Sequence, residues 1–353
     1  MGPTVAPPVV GAEIGAMTAV LDIHAHAMPM PVLEWLAARD LADLSGVGAE
    51  VIRLDPRVSG VGPGAALPLA RSQHDVAVRL KEMDAAGVSH HAVSLPPFLF
   101  ASTADDGRLV AETVRRGNDA LAGYVAAAPD RLVALGAVPM GWPDAVAEAA
   151  RCLDELGMAG IAIGSRGGGR NLDDPVNEPL WDLLATRRAF TFLHPSGVPD
   201  ASRLRDFYLA QLVGYPAETA IAVARLVFAG VLERHDLVLC LAHGGGCLPS
   251  VRGRLDLGWA RKDEARTVSV PPSDVTARLY YDTLVFSPVL LRRLVEDVGA
   301  DHVLLGTDHP FELGDRDPVE SVRAAGFYET TTRAILWDNA AALLRVQPSG
   351  TPA

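Results

Sequence analysis

Eight short apolar runs, separated by stretches with helical periodicity, constrain this chain more than any other feature of its sequence. The runs are Leu21–His26, Val88–Leu95, Leu132–Val138, Gly160–Ile163, Phe190–His194, Leu237–Ala242, Leu279–Thr283 and His302–Asp308. Between them, apolar residues recur at helical spacing over Asp75 to Gly87, Gly107–Ala127, Pro143–Leu156, Glu178–Thr186, Ala217–Arg234, a stretch ending near Lys262, and Pro288–Val298. The tail, Thr330–Leu344, reads as helix too. Short apolar strands alternating with helices are buried on both faces, which means a parallel sheet. Eight such units predict an α/β fold, a closed (β/α)8 barrel. An open doubly wound sheet is the alternative, but no Gly-x-Gly-x-x-Gly turn follows the first strand.

The 353 residues suit one such barrel, expected over 17–345. Residues 28–72 are too long for an ordinary connection, and Gly60 to Gly64 interrupt any regular pattern, so an insertion or lid is expected after the first strand. Residues 1–16 carry Pro3, Pro7 and Pro8 without a basic segment. They read as a flexible arm, not a signal peptide, and Met17 stands ahead of the first strand as an alternative start.

In such a barrel the side chains at the carboxyl ends of the strands share one mouth. The first strand ends His24-Ala25-His26, and residues two apart on a strand face the same side. The fifth ends at His194 before Pro195, the sixth at His243 before Gly244, and the eighth at Asp308. A lone strand-end histidine is usually structural. Four histidines and an aspartate at one mouth point to a divalent metal.

The order His-x-His, His, His, Asp resembles the amidohydrolase superfamily. Within it, Arg79 through Met83-Asp84-Ala85-Ala86-Gly87-Val88, Tyr215-Pro216-Ala217-Glu218-Thr219, His243-Gly244-Gly245-Gly246, Gly253-Arg254 and Gly306-Thr307-Asp308-His309-Pro310-Phe311 are similar to the aminocarboxymuconate-semialdehyde decarboxylases and their relatives. The resemblance implies one divalent ion, zinc with manganese as the alternative, on His24, His26, His194 and Asp308. It implies that His243 stands off the ion and acts, with Asp308, on bound water. It further implies a homodimer in which Arg254 crosses to the partner's site to bind a substrate carboxylate. Where the family has another substrate arginine this chain has Leu67, with Arg71 four residues on, so a monocarboxylic substrate is expected.

A divalent ion lowers the pKa of bound water from 15.7 to about 7, and a nearby imidazole can move its proton. The leading expectation is therefore a carboxy-lyase, a metal-dependent non-oxidative decarboxylase of a small unsaturated or aromatic acid. The alternative is a hydrolase of a small ester, lactone, amide or carbon–carbon bond on the same site. A barrel that only stores metal would need no base beside the water. Phe98, Phe100, Phe207, Tyr208 and His309 are further candidates for lining the pocket. His74, His90, His91, His235 and His302 read as structural, and Gly167-Gly168-Gly169-Arg170 as a flexible loop.

The remaining partners are excluded by composition. A net charge of −12 disfavours non-specific nucleic-acid binding. No run of about 18 uninterrupted apolar residues exists for a membrane span. Cys152, Cys240 and Cys247 lack metal-type spacing and read as reduced thiols of a cytoplasmic protein.

Overall fold

The computed structural model describes residues 19–348; the expected N-terminal arm lies outside them. Eight parallel strands pair in strictly sequential order. They are β1 (Leu21–His26), β2 (His90–Ser94), β3 (Leu132–Ala137), β4 (Gly160–Gly164), β5 (Phe190–His194), β6 (Leu239–Leu241), β7 (Tyr280–Asp282) and β8 (Val303–Leu304). The two edges meet. Ile23 N–H donates to Leu305 O at 2.9 Å, Asp308 N–H to His24 O at 2.8 Å and His26 N–H to His309 O at 2.7 Å. The sheet therefore closes into the expected (β/α)8 barrel.

The strands are apolar because both faces are covered. Leu21, Ile23, Ile161, Ile163, Phe192, Leu239 and Leu241 are completely buried between the barrel interior and the helical ring. The helices start where the sequence supplies caps. Asp75 accepts from Val78 N–H, Asp106 from Arg108 and Leu109 N–H, and Ser287 from Leu290 N–H. The helix Val76–Ala85 stops at Gly87, whose φ of 70° few other residues adopt.

Three elements differ from the sequence-based expectation. The helix expected over Ala217–Arg234 is two, Tyr215–Phe228 and Val231–Arg234, divided at Gly230 with φ 71°. The eighth strand is only Val303–Leu304, because the chain beyond it turns to bond Asp22 and reaches Asp308 with φ 59°. The tail helix is relieved by a π-helical turn over Ala334–Asp338. Residues between β1 and Val76 hold a helix, Met30–Ala37, and a three-stranded antiparallel sheet of Ala42–Asp43, Val51–Leu54 and Leu67–Pro68. Leu67 pairs with Ile52 and is buried in that sheet as an ordinary core residue.

Candidate metal centre

His24, His26, His194 and Asp308, from β1, β5 and the turn after β8, each offer one ligand atom, and those atoms all lie within 4.8 Å of one another. Asp308 Oδ1 lies 3.3 Å from His24 Nε2 and 3.2 Å from His26 Nε2. None of the three atoms has hydrogen-bond geometry to any partner, although all are buried. Buried polar atoms left in that state are rare and costly. A tetrahedral ion with bonds of ~2.0–2.1 Å would hold its ligand atoms ~3.3 Å apart. The donor set, three imidazole nitrogens and one carboxylate, suits zinc or a similar divalent ion.

The opposite nitrogen of each ring is tied down, which aims Nε2 inward. His24 Nδ1–H donates to Asp282 Oδ2 at 2.8 Å and His194 Nδ1–H to Pro195 O at 2.8 Å, while His26 Nδ1 meets Ser94 Oγ at 3.2 Å. Burial holds the pKa of His26 and, more strongly, that of His194 below the usual range, leaving their lone pairs free. On His24 burial works the same way, yet the Asp308 and Asp282 carboxylates outweigh it and push the pKa up to about 10. An ion binding there displaces that proton. Burial would raise Asp308, but His24, His243 and His26 hold it well below the carboxylate range.

His243 stands apart from this set. Its Nε2 is 3.8 Å from Asp308 Oδ2, its Nδ1 is buried without a partner, and its ring lies 5.1 Å from those of His24 and His194. Its φ of 57° is left-handed, as is that of Asp308, an unusual conformation for either residue.

Asp282 supports both halves of the site, and the sequence reading missed it. Its Oδ2 accepts from His24 Nδ1 and from His243 N–H at 3.0 Å; its Oδ1 accepts from Gly244 N–H at 2.7 Å and Leu284 N–H at 3.1 Å. One buried carboxylate thus orients a ligand and fixes the left-handed turn that presents His243. The signal was available: Tyr280-Tyr281-Asp282 ends in a polar residue at the same barrel end as the others. Asp282→Asn, which cannot accept all these bonds, should weaken zinc binding by about 10- to 100-fold. Chelator competition measures this, and an unchanged affinity in folded protein would refute the role.

The other candidates are more dispersed. Phe98 packs edge-to-face on Phe311 at 5.7 Å, and Phe311 lies 5.3 Å from His26, so an aromatic wall adjoins a ligand. His309 is turned toward Glu82, Nε2 to Oε2 3.2 Å, and its ring centroid lies 5.2 Å from that of His91. Arg71 is 68% exposed and paired with Asp75 at 3.2 Å. Arg254 is exposed on the helix Leu248–Arg261. Phe207 and Tyr208 are exposed, both with left-handed φ, on the segment after β5. Phe100 is buried in the core. His302 stacks on Tyr280 and His235 pairs with Glu178, away from the cluster.

The family described as amidohydrolase matches residues 21–346. Among curated proteins, 2-amino-3-carboxymuconate-6-semialdehyde decarboxylase of Dictyostelium discoideum is 36% identical over 284 residues, 78% of each chain. Gamma-resorcylate decarboxylase of a Rhizobium species is 32% identical over 259 residues, 66% of this chain and 76% of the relative. Among solved structures, 5-carboxyvanillate decarboxylase from Sphingomonas paucimobilis superposes with a TM-score of 0.76 at 25% identity, over 94% of this chain and 100% of that one.

Proposed function

The chain belongs to the amidohydrolase family, and from that premise we infer that it is a metal-dependent, non-oxidative decarboxylase of a small aromatic or unsaturated carboxylic acid. The observation that carries the reading is the buried His24–His26–His194–Asp308 cluster with His243 facing it across Asp308. The relatives named above are decarboxylases, which favours carbon dioxide release over the hydrolytic alternative.

A divalent ion held by these four residues would supply Lewis acidity toward a substrate oxygen; zinc is our assignment for it. The chain's own residues do the rest. His243 and Asp308 hold and move the proton, with Nε2 and Oδ2 facing each other. That proton is delivered to the substrate carbon bearing the carboxylate. The new C–H bond takes a π pair of the ring or double bond; the carbon–carboxylate bond then breaks, its electron pair restores that unsaturation, and carbon dioxide departs. Asp282 holds the turn that presents His243 by accepting its backbone N–H. The Phe98–Phe311 wall beside His26 suits a flat substrate. Leu67, buried and apolar, brings no second cation, in keeping with a monocarboxylic acid.

The test is a panel of aromatic and unsaturated monocarboxylic acids scored for carbon dioxide, run beside esters and lactones scored for hydrolysis. Metal-dependent carbon dioxide release from at least one acid is expected. Hydrolysis without any decarboxylation would overturn the reading.

For the assembly, we propose a homodimer in which Arg254 completes the partner's site, its planar guanidinium taking the substrate carboxylate through two parallel hydrogen bonds. Exposed Ile221 and Leu257 on the two adjoining outer helices, Tyr215–Phe228 and Leu248–Arg261, favour an interface there. Mixing inactive His243→Ala and Arg254→Ala proteins under subunit exchange should restore activity, since some mixed dimers hold one intact site. A monomer in solution, or a mixture that stays inactive after proven exchange, refutes it. No described helix is long and apolar enough to cross a membrane. Three free cysteines support a reducing, cytoplasmic location, which fractionation of the source cells would check.

A further inference from the structure

The helix Val76–Ala85 carries Arg79 into the interior, where its side chain is fully buried. An arginine cannot shed its proton to escape such a place. None of its hydrogen-bond partners among the described residues is a carboxylate. Nε donates to Ser72 O at 3.2 Å and to Tyr124 Oη at 2.8 Å; Nη1 donates to His91 Nδ1 at 3.0 Å; Nη2 donates to His26 O. Tyr124 Oη–H in turn donates to Ser72 O at 2.6 Å.

Two of those acceptors bracket the insertion. His26 is the ligand that ends β1, and Ser72 lies where the chain returns to the barrel; beside them Met28 N–H donates to Gln73 O at 2.9 Å. A third arm reaches the other ligands. Arginine only donates, so His91 Nδ1 accepts and the ring proton sits on Nε2, which faces Asp22 Oδ2 at 3.4 Å. Asp22 accepts from His24 N–H at 2.8 Å, Thr307 N–H at 3.1 Å and Thr307 Oγ1–H at 2.6 Å. The guanidinium thus touches His26 directly, and it reaches His24 and the residue before Asp308 through one imidazole and one carboxylate.

We propose that Arg79 is a positioning residue of the metal centre: it clasps both ends of the insertion against β1 and holds the carbonyl of His26, so that the His26 ring meets the ion in register. The inference rests on the metal reading above. Lysine is no substitute, because one ammonium cannot span Ser72 O, His26 O and His91 Nδ1 with fixed, coplanar donors.

The test is zinc affinity by chelator competition, well below the melting temperature, together with melting temperatures with and without EDTA. Wild type, Arg79→Lys and Tyr124→Phe are compared. Arg79→Lys should bind zinc at least about 10-fold more weakly, the scale of a lost supporting contact, and show a smaller zinc-induced rise in melting temperature. Tyr124→Phe, which removes one acceptor of Nε and keeps the ring, should weaken binding in the same direction by a few-fold. A folded Arg79→Lys protein with wild-type zinc affinity and only a lower metal-free melting temperature would overturn the proposal and leave a structural core cation. Should Arg79→Lys fail to fold, Tyr124→Phe decides, and unchanged affinity there overturns it. Wild type that takes up no ion would overturn the metal reading first and this inference with it.

Discussion

Replacing His243 by alanine should give a folded, metal-loaded protein whose turnover is at least about 10²-fold lower, the usual scale for losing a general acid–base. The separation of the two effects follows from where the ring sits. His243 Nε2 faces the outer oxygen of Asp308, while the buried, unpaired ligand atoms crowd around the inner oxygen and belong to His24 and His26. Removing the His243 ring takes away a proton carrier and leaves the donor set whole. Its backbone N–H, bonded to Asp282, survives in alanine, so the turn persists. Circular dichroism, elemental analysis and single-turnover assays of the same preparation would check all three statements. Near-normal turnover would reject the catalytic role, and loss of metal would make His243 a ligand.

Asp308→Asn should do more damage. Wild type is expected to carry about one divalent ion per chain, and the variant far less than one after exposure to a mild chelator. Activity should fall by at least about 10³-fold, since a ligand is lost together with a group of the 10²–10⁴ proton-transfer class. The physical reason is charge. Asp308 is the only carboxylate among the four candidate ligands, and three imidazoles hold it ionised against the cost of burial. Asparagine fills the same volume but brings no charge to the ion. Two ions per chain in the wild type, or a variant that retains its ion and its activity, would break the assignment.

Local chemistry made most of the frame legible. The apolar runs marked every barrel strand, and prolines and glycines after them helped to place their ends within a few residues. His24, His26, His194 and Asp308 could be found because each ends an apolar run, and a strand end has a known address in a barrel. The failures share one cause. Asp282 ends a strand just as they do, which marks its place, but its partners are backbone N–H groups and a ring nitrogen brought in by the fold, so its role could not be read locally. Arg79 stood out only as the first residue of a motif similar to the family's; only the closed barrel shows that it is buried. The shortened eighth strand has the same origin, since Thr307 leaves the ladder to bond Asp22 on β1.

The seam of the barrel has a thermodynamic meaning. Asp22 and Thr307, whose bond helps to shut it, are separated by 285 positions along the chain. Contacts of such long range form late, after most of the loop-closure entropy has been met. A donor set with members on both sides of that seam cannot exist in a half-folded barrel, so an ion bound there would be a ligand of the native state alone. Free ion at 100 times its dissociation constant then adds about 2.7 kcal/mol to the stability of the closed form. Resistance to heat is then expected to rise with metal supply, and a chain starved of its ion should be folded and inactive but nearer its unfolding threshold.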